Sequence, residues 1–216
     1  MSSKLKLGVL ISGRGSNLQS LIDATQDDSF PAEIVMVISN VPDVAGLVRA
    51  AKANIPTAVI NHQDFDDREP FEDVLHDALS EAGVKLVCLA GFMRILTDGF
   101  VSRWLDKMIN IHPSLLPSFK GLHTHERAIE AGVRFSGCTI HFVRPEMDDG
   151  PIIAQATVPI RQDDTPDALA ARVLVEEHKI YPLAVRMIAE GRISITGSQV
   201  TIKGVVNPDS AVINPA

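Results

Sequence analysis

The stretch Met108-Ile-Asn-Ile-His-Pro-Ser-Leu-Leu-Pro117, continued by Ser118-Phe-Lys-Gly-Leu-His-Thr-His125, decides how the rest of the chain is read. Ile109 and Ile111 alternate with Asn110 and His112, the period of a short buried strand whose successive side chains point to opposite faces. Pro113 has no N–H to give to a ladder, so the strand is predicted to stop at His112. Asn110 and His112 then project from one face at a strand's carboxyl end, where open α/β sheets gather their ligands. An amide donor beside an imidazole suits a reaction in which an oxygen gains negative charge while a proton moves. An ordinary strand end, with a hydrogen-bonded Asn and a capping His, reads the same from these residues alone.

The bulk properties narrow the classes. A chain of 216 residues is enough for one domain, or one with an appendage, around a proper core. Hydrophobic residues at 45% and charged residues at 22% are ordinary for a globular protein. A net charge of −7 weighs against a nucleic-acid binder, whose affinity comes mainly from Lys and Arg on phosphates. It leaves room for a small anionic substrate held by a few local groups. Cys88 and Cys138 are far apart in apolar settings, without metal-type spacing, and are expected to be buried thiols in a reducing compartment. The apolar run ending at Ile11 is too short for a signal peptide, and no segment reaches bilayer length. A cytoplasmic protein without membrane or nucleic-acid partners is the expectation.

Leu5 to Ile11 is apolar enough for a first buried strand. Ser12-Gly-Arg-Gly-Ser-Asn17 follows, then Leu18, Leu21 and Ile22 at helical spacing. Glycines let the backbone approach a ligand, and a helix start offers unpaired N–H groups with partial positive charge. Ser16 and Asn17 add donors, so the loop suits a phosphate, although a plain capped turn has the same form. Leu18 replaces the third glycine of a dinucleotide fingerprint, and there is no Walker lysine. Further strands are predicted at Ile34 to Ser39, Thr57 to Ile60 and Leu86 to Ala90, with helices from Val44 to Ala53 and Phe71 to Ala82. Arg68, in a polar run before that last helix, reads as a solvated ion-pair partner. Phe92, Met93, Ile95 and Leu96 follow a strand end and could line a slot for a flat ring, or could be ordinary core. Thr97 caps a helix to about Trp104.

His123 and His125 open a helix that ends at Gly132; at i and i+2 they do not share a helix face, so they are not read as a zinc pair. Strands are predicted at Phe135 to Val143 and Ile152 to Ile160. The acidic turn between them could present Asp148 inward or leave it in solvent; turned inward, it would favour a charged His112. Thr165-Pro-Asp starts a helix running to Glu190, kinked at Pro182. At about 100° per residue, Leu169, Val173, Ile180, Ala184 and Ile188 share one face with Glu177. A carboxylate in an apolar stripe needs a partner, an internal Arg or a substrate ammonium, or it must give up its charge. Beyond Arg192 the chain is short, polar and partly β-like, with no function legible in it.

Six segments together resemble the phosphoribosylglycinamide formyltransferases, folate-dependent enzymes of purine synthesis. They are Ser-Gly-Arg-Gly-Ser-Asn-Leu-Gln, Ala-Gly-Phe-Met-Arg-Ile-Leu, Asn-Ile-His-Pro-Ser-Leu-Leu-Pro, Gly-Leu-His-Thr-His, Asp-Asp-Gly-Pro and Glu-His-Lys-Ile-Tyr-Pro. Each is weak alone; in this order and spacing they are highly specific, and the match built on them covers nearly everything from Lys6 to about Arg192. The resemblance implies fold class α/β: a single Rossmann-like, open, twisted, mostly parallel sheet. Helices would cover both faces, and an antiparallel strand pair would lie towards the C-terminal half. Residues 1–192 would be the formyltransferase domain and 193–216 a C-terminal tail.

The resemblance also implies roles. Asn110, His112 and Asp148 look like the family's catalytic trio. Gly15, Ser16 and Asn17 look like the phosphate site for glycinamide ribonucleotide, and Glu177 like the acid that holds its amine end. Arg68, Met93, Arg94, Ile95 and Leu96, with Asn110, look like contacts to the co-substrate 10-formyltetrahydrofolate. No metal is implied. Two positions depart from the family's pattern: Arg14, whose charge would strengthen phosphate binding, and Lys120, which stands where Pro is expected. The nearest rival is formyltetrahydrofolate hydrolase, expected to carry an N-terminal regulatory domain for which a strand beginning at Leu5 leaves no room. Methionyl-tRNA formyltransferase would need a further C-terminal domain and a basic surface. A simple nucleotide-binding module would leave Asn110, His112 and Glu177 unexplained.

Overall fold

In the computed structural model, which describes residues 3–205 and 210–215, the apolar runs become one seven-stranded sheet. The chain runs β1 (Leu5–Ile11), α1 (Ser16–Thr25), β2 (Ala32–Ser39), α2 (Ala45–Lys52), β3 (Thr57–Val59), α3 (Arg68–Glu81) and β4 (Leu86–Leu89). It continues with α4 (Asp98–Arg103), β5 (Met108–His112), α5 (Thr124–Glu130), β6 (Phe135–Phe142), β7 (Ile152–Pro159) and α6 (Pro166–Ala189). A final hairpin pairs β8 (Ile193–Thr196) with β9 (Gln199–Ile202). The strand order is β3-β2-β1-β4-β5-β6-β7. The first five strands are parallel, β6 runs antiparallel to β5, and β7 antiparallel to β6. This is the α/β architecture expected.

Both faces are covered, which is why the central strands read as nearly continuous apolar runs. Leu7, Val9 and Ile11 of β1 join Leu18, Leu21, Val173 and Tyr181 in one core. Leu10, one residue out of phase, joins Phe71, Leu75, Leu79 and Phe100 in the other. Each such fully buried side chain contributes about 1.5–3 kcal/mol. Gly8 lets α3 close in, since a Cβ there would stand 2.6 Å from Leu79 Cδ2.

Three details refine the sequence reading. Helix α3 begins at Arg68 rather than Phe71. Pro70 falls in its first turn, where a missing N–H costs nothing, so the end of the polar run, Arg68-Glu-Pro70, is helical. Helix α6 is continuous through Pro182 for all its 24 residues. Tyr181, Ala184 and Val185 beside the proline are fully buried, and their packing outweighs the lost hydrogen bond. Past Arg192, Ile193, Ile195, Val200 and Ile202 of the hairpin pack against the sheet's core. Arg192 fastens the hairpin through Nε to the Lys203 carbonyl at 2.8 Å.

The sheet's order reverses between β1 and β4, so the loops leaving these strands diverge and open a crevice at their carboxyl ends. No helix among the described residues is long and apolar enough to cross a membrane.

Candidate active site

Strand β5 ends at His112, as Pro113 dictates, and carries Asn110 and His112 to the edge of the crevice. The antiparallel register sets His141 of β6 opposite Asn110, and Thr139 opposite His112. His112 is buried, with Nε2 3.0 Å from the Phe119 carbonyl oxygen and Nδ1 3.4 Å from Asp148 Oδ2. A carbonyl can only accept, so Nε2 carries a proton, and the other ring nitrogen meets a carboxylate.

Asp148 is turned inward, from a backbone with φ 53°. Gly150 makes that turn possible, because a Cβ there would collide with the Phe142 carbonyl at 1.6 Å. Asp148 Oδ2 accepts the Gly121 N–H at 2.8 Å, and Oδ1 lies 3.8 Å from His141 Nε2. Burial pushes His141 below the usual imidazole range, against the opposing pull of the Phe142 carbonyl and the Asp148 carboxylate. Its Nδ1 faces the Phe142 carbonyl at 3.0 Å, so the neutral ring keeps its proton there and offers Nε2 as an acceptor. That acceptor lies 3.3 Å from Asn110 Nδ2 and orients the amide. Among the described residues, the other Asn110 Nδ2 hydrogen meets no acceptor.

The loop from Pro113 to His123 is braced by β6. Thr139 Oγ1 donates to the Ser114 carbonyl at 2.7 Å and accepts the Leu116 N–H at 3.1 Å. Gln155 Nε2 donates to the Leu116 carbonyl at 2.9 Å. Lys120, at the position where Pro was expected, pairs with Asp149 and ties the loop to the acidic turn. The bracing delivers the Phe119 carbonyl to His112 and the Gly121 N–H to Asp148.

Across the crevice, Gly15 precedes α1 at φ 68°, a left-handed conformation that suits glycine. The N–H groups of Ser16, Asn17 and Leu18 open the helix without intrahelical acceptors. Asn17 is buried and its Nδ2 donates to Glu177 Oε2 at 2.6 Å, while its Oδ1 has no partner among the described residues. Glu177 sits on the buried face of α6, and its partner is this amide rather than an Arg. Burial pushes its carboxyl above the usual carboxylate range, and the Asn17 bond partly offsets that.

The segment after β4 is held at both ends. Met93 N–H donates to Ser12 Oγ at 2.7 Å, and buried Glu72 of α3 accepts the Thr97 N–H at 2.8 Å as well as its hydroxyl. Between these anchors Met93 and Ile95 are exposed at 69% and 67%, Arg94 is half-buried and Leu96 buried. Arg68, on the first turn of α3, is exposed and makes no side-chain hydrogen bond or ion pair among the described residues. The structure therefore brings Asn110, His112 and Asp148 together, and Asn17 with Glu177, while it links Arg68 to neither group. Cys88 and Cys138 are buried free thiols, each pushed up to about 12 by burial.

Two residues of the site escaped the sequence reading. Thr139 and His141 are polar positions two apart in the otherwise apolar run Phe135-Ser-Gly-Cys-Thr-Ile-His-Phe142, the same signal that singled out Asn110 and His112.

Residues 5–185 match the family model described as formyl transferase. Phosphoribosylglycinamide formyltransferase of Haemophilus influenzae is 44% identical, over 97% of this chain and 99% of that protein. The trifunctional purine biosynthetic protein adenosine-3 of Bos taurus is 52% identical over 89% of this chain. This chain spans only 19% of that much longer relative. Among solved structures, glycinamide ribonucleotide transformylase 1 from Symbiobacterium toebii superposes with a TM-score of 0.91 at 42% identity, covering 94% of this chain and 95% of that one.

Proposed function

The chain belongs to the formyl transferase family, and from that premise we propose that it moves the formyl group of 10-formyltetrahydrofolate onto the amine of glycinamide ribonucleotide. The observation that carries the reading is the meeting of Asn110, His112 and Asp148 at the end of β5. The amine nitrogen attacks the formyl carbon, and the formyl oxygen becomes a tetrahedral oxyanion. Asn110 and His112 donate to that oxygen; the free amide N–H of Asn110 is already available, and the oxyanion displaces the Phe119 carbonyl from His112. One such donor is typically worth about 3–4 kcal/mol of barrier. The bond from carbon to folate N10 then breaks. N10 takes a proton while the former amine loses one, and Asp148, 3.4 Å from His112 Nδ1, relays it.

Gly15, Ser16 and Asn17 hold the ribonucleotide phosphate at the helix N-terminus. Glu177 receives the amine end as an ammonium, whose charge supplies the partner a buried carboxylate needs; the ammonium gives one proton to water before the free amine attacks. Arg68 and the segment Met93 to Leu96, with Asn110, contact the folate, the exposed Met93 and Ile95 offering apolar surface to its flat ring. The reaction calls for small-molecule partners only, in the cytoplasm, and for no metal. Formylfolate consumption by the purified protein tests the reading: it should depend on added glycinamide ribonucleotide and yield formylated ribonucleotide. Formate release without the ribonucleotide would identify a hydrolase instead.

A further inference from the structure

Helix α2 grips the loop after β1 through a single arginine. Arg49, half-buried on α2, donates from Nε to the Arg14 carbonyl at 2.9 Å and from Nη1 to Gln19 Oε1 at 3.2 Å. One guanidinium therefore spans the loop after β1 and the helix that the loop feeds. On the same helix, Gly46 N–H donates to the Gly13 carbonyl at 3.0 Å. The contact is close: a Cβ on Gly15 would lie 2.6 Å from Gly46 Cα, and one on Gly46 would lie 2.5 Å from Ile11 Cδ1.

The consequence follows from peptide geometry. In a trans peptide the C=O and N–H point in opposite directions. With the Gly13 and Arg14 carbonyls drawn to α2, the N–H groups of Arg14 and Gly15 point away from it. They add to the first N–H groups of α1, and successive N–H groups turned to one side make a concavity suited to an anion. We infer that Arg49 is a positioning residue for the ribonucleotide phosphate, its fork holding the loop from Ser12 to Asn17 in the anion-accepting shape. The inference rests on the phosphate role proposed above for that loop. Lys would not substitute, because a single ammonium lacks the planar fork that reaches two acceptors in fixed directions.

The test compares wild type, Arg49→Met and Arg49→Lys on glycinamide ribonucleotide and on its dephosphorylated riboside, at saturating formylfolate. Both variants should raise KM for the phosphorylated substrate about tenfold while kcat stays within about twofold, the pattern of lost uniform binding. Neither should change KM for the riboside or for formylfolate. In thermal unfolding, inorganic phosphate should stabilise the wild type and do so less for both variants. Wild-type KM in either variant overturns the inference, and so does an equal loss on both substrates, which would mean general damage. Recovery in Arg49→Lys alone would also overturn it, because charge rather than the fork would then be acting. A wild type indifferent to the phosphate would instead sink the phosphate reading of the loop, and this inference with it.

Discussion

The two halves of the crevice hold their polar groups differently. Asn17 and Glu177 meet at 2.6 Å, a closed pair between elements 160 residues apart in sequence. Among the side chains around Asp148 the spacings are looser: 3.4 Å to His112, 3.8 Å to His141, and 3.3 Å between His141 and Asn110. A closed pair fixes a binding group before the ligand arrives. An open cluster leaves donors to be taken by charge that develops only during reaction, which is where a preorganised site lowers a barrier. The contrast makes separable demands on kcat and KM.

Asp148→Asn should show the largest effect. The amide keeps the size and can still accept the Gly121 N–H, but it removes the charge that His112 faces and the base that relays the proton. Turnover should fall by about 10²–10⁴-fold, the usual range for a positioned acid or base, while both substrates still bind. Single-turnover kinetics with equilibrium binding measures both; near-normal turnover would take Asp148 out of the chemistry. Asn110→Ala comes next, with kcat down by about 10²–10³-fold for one oxyanion donor. A change confined to KM would mean that Asn110 belongs with the binding half.

Sequence alone reached the open half more fully than the closed one, and the reason is physical. Pro113 ends a strand wherever it stands, so the positions of Asn110 and His112 followed from local rules. Glu177 was legible as a misplaced charge on an apolar helix face. Its partner was not, because no local rule connects residue 17 to residue 177. His141 reached the site through the β5–β6 register, which is a tertiary fact, although its polarity in an apolar strand was there to be read. Arg68 shows the opposite limit. The resemblance gives it a role, and the structure leaves it exposed on α3 without a partner among the described residues of either half.

Glu177→Gln tests the closed half. Gln keeps an oxygen for Asn17 but cannot attract an ammonium, so KM for the ribonucleotide should rise about tenfold with a smaller change in kcat. The free protein should become more stable at neutral pH, because burial raises the carboxyl in the folded state. A raised folded value contributes stability that is full below the unfolded value near 4.5 and fades as pH climbs through the folded one. The Gln variant's advantage in urea unfolding should therefore be absent at low pH and grow above pH 4.5. An advantage independent of pH would mean that the carboxylate is fully stabilised by Asn17. His141, lowered by burial, has the opposite sign: its contribution is present above the usual value of 6.5 and lost as pH falls through the folded one.

The smallest catalytic effect is expected at Thr139, which supports the open cluster without joining it. Val has nearly the same shape, so Thr139→Val removes hydrogen bonds without opening a cavity. The Ser114 carbonyl loses its donor, and the Leu116 N–H loses its acceptor. Buried groups left unpaired cost about 1–3 kcal/mol each, so the urea midpoint should drop with an unchanged slope. The Phe119 carbonyl and Gly121 N–H are also held by the Ser114–Ser118 bond and the Lys120–Asp149 pair, so kcat should fall only a few-fold. Thr139→Ser restores the hydroxyl and should recover most of the stability. A loss of turnover in Thr139→Val as deep as in Asn110→Ala would mean that the loop's exact placement, rather than the donors on β5, sets the rate.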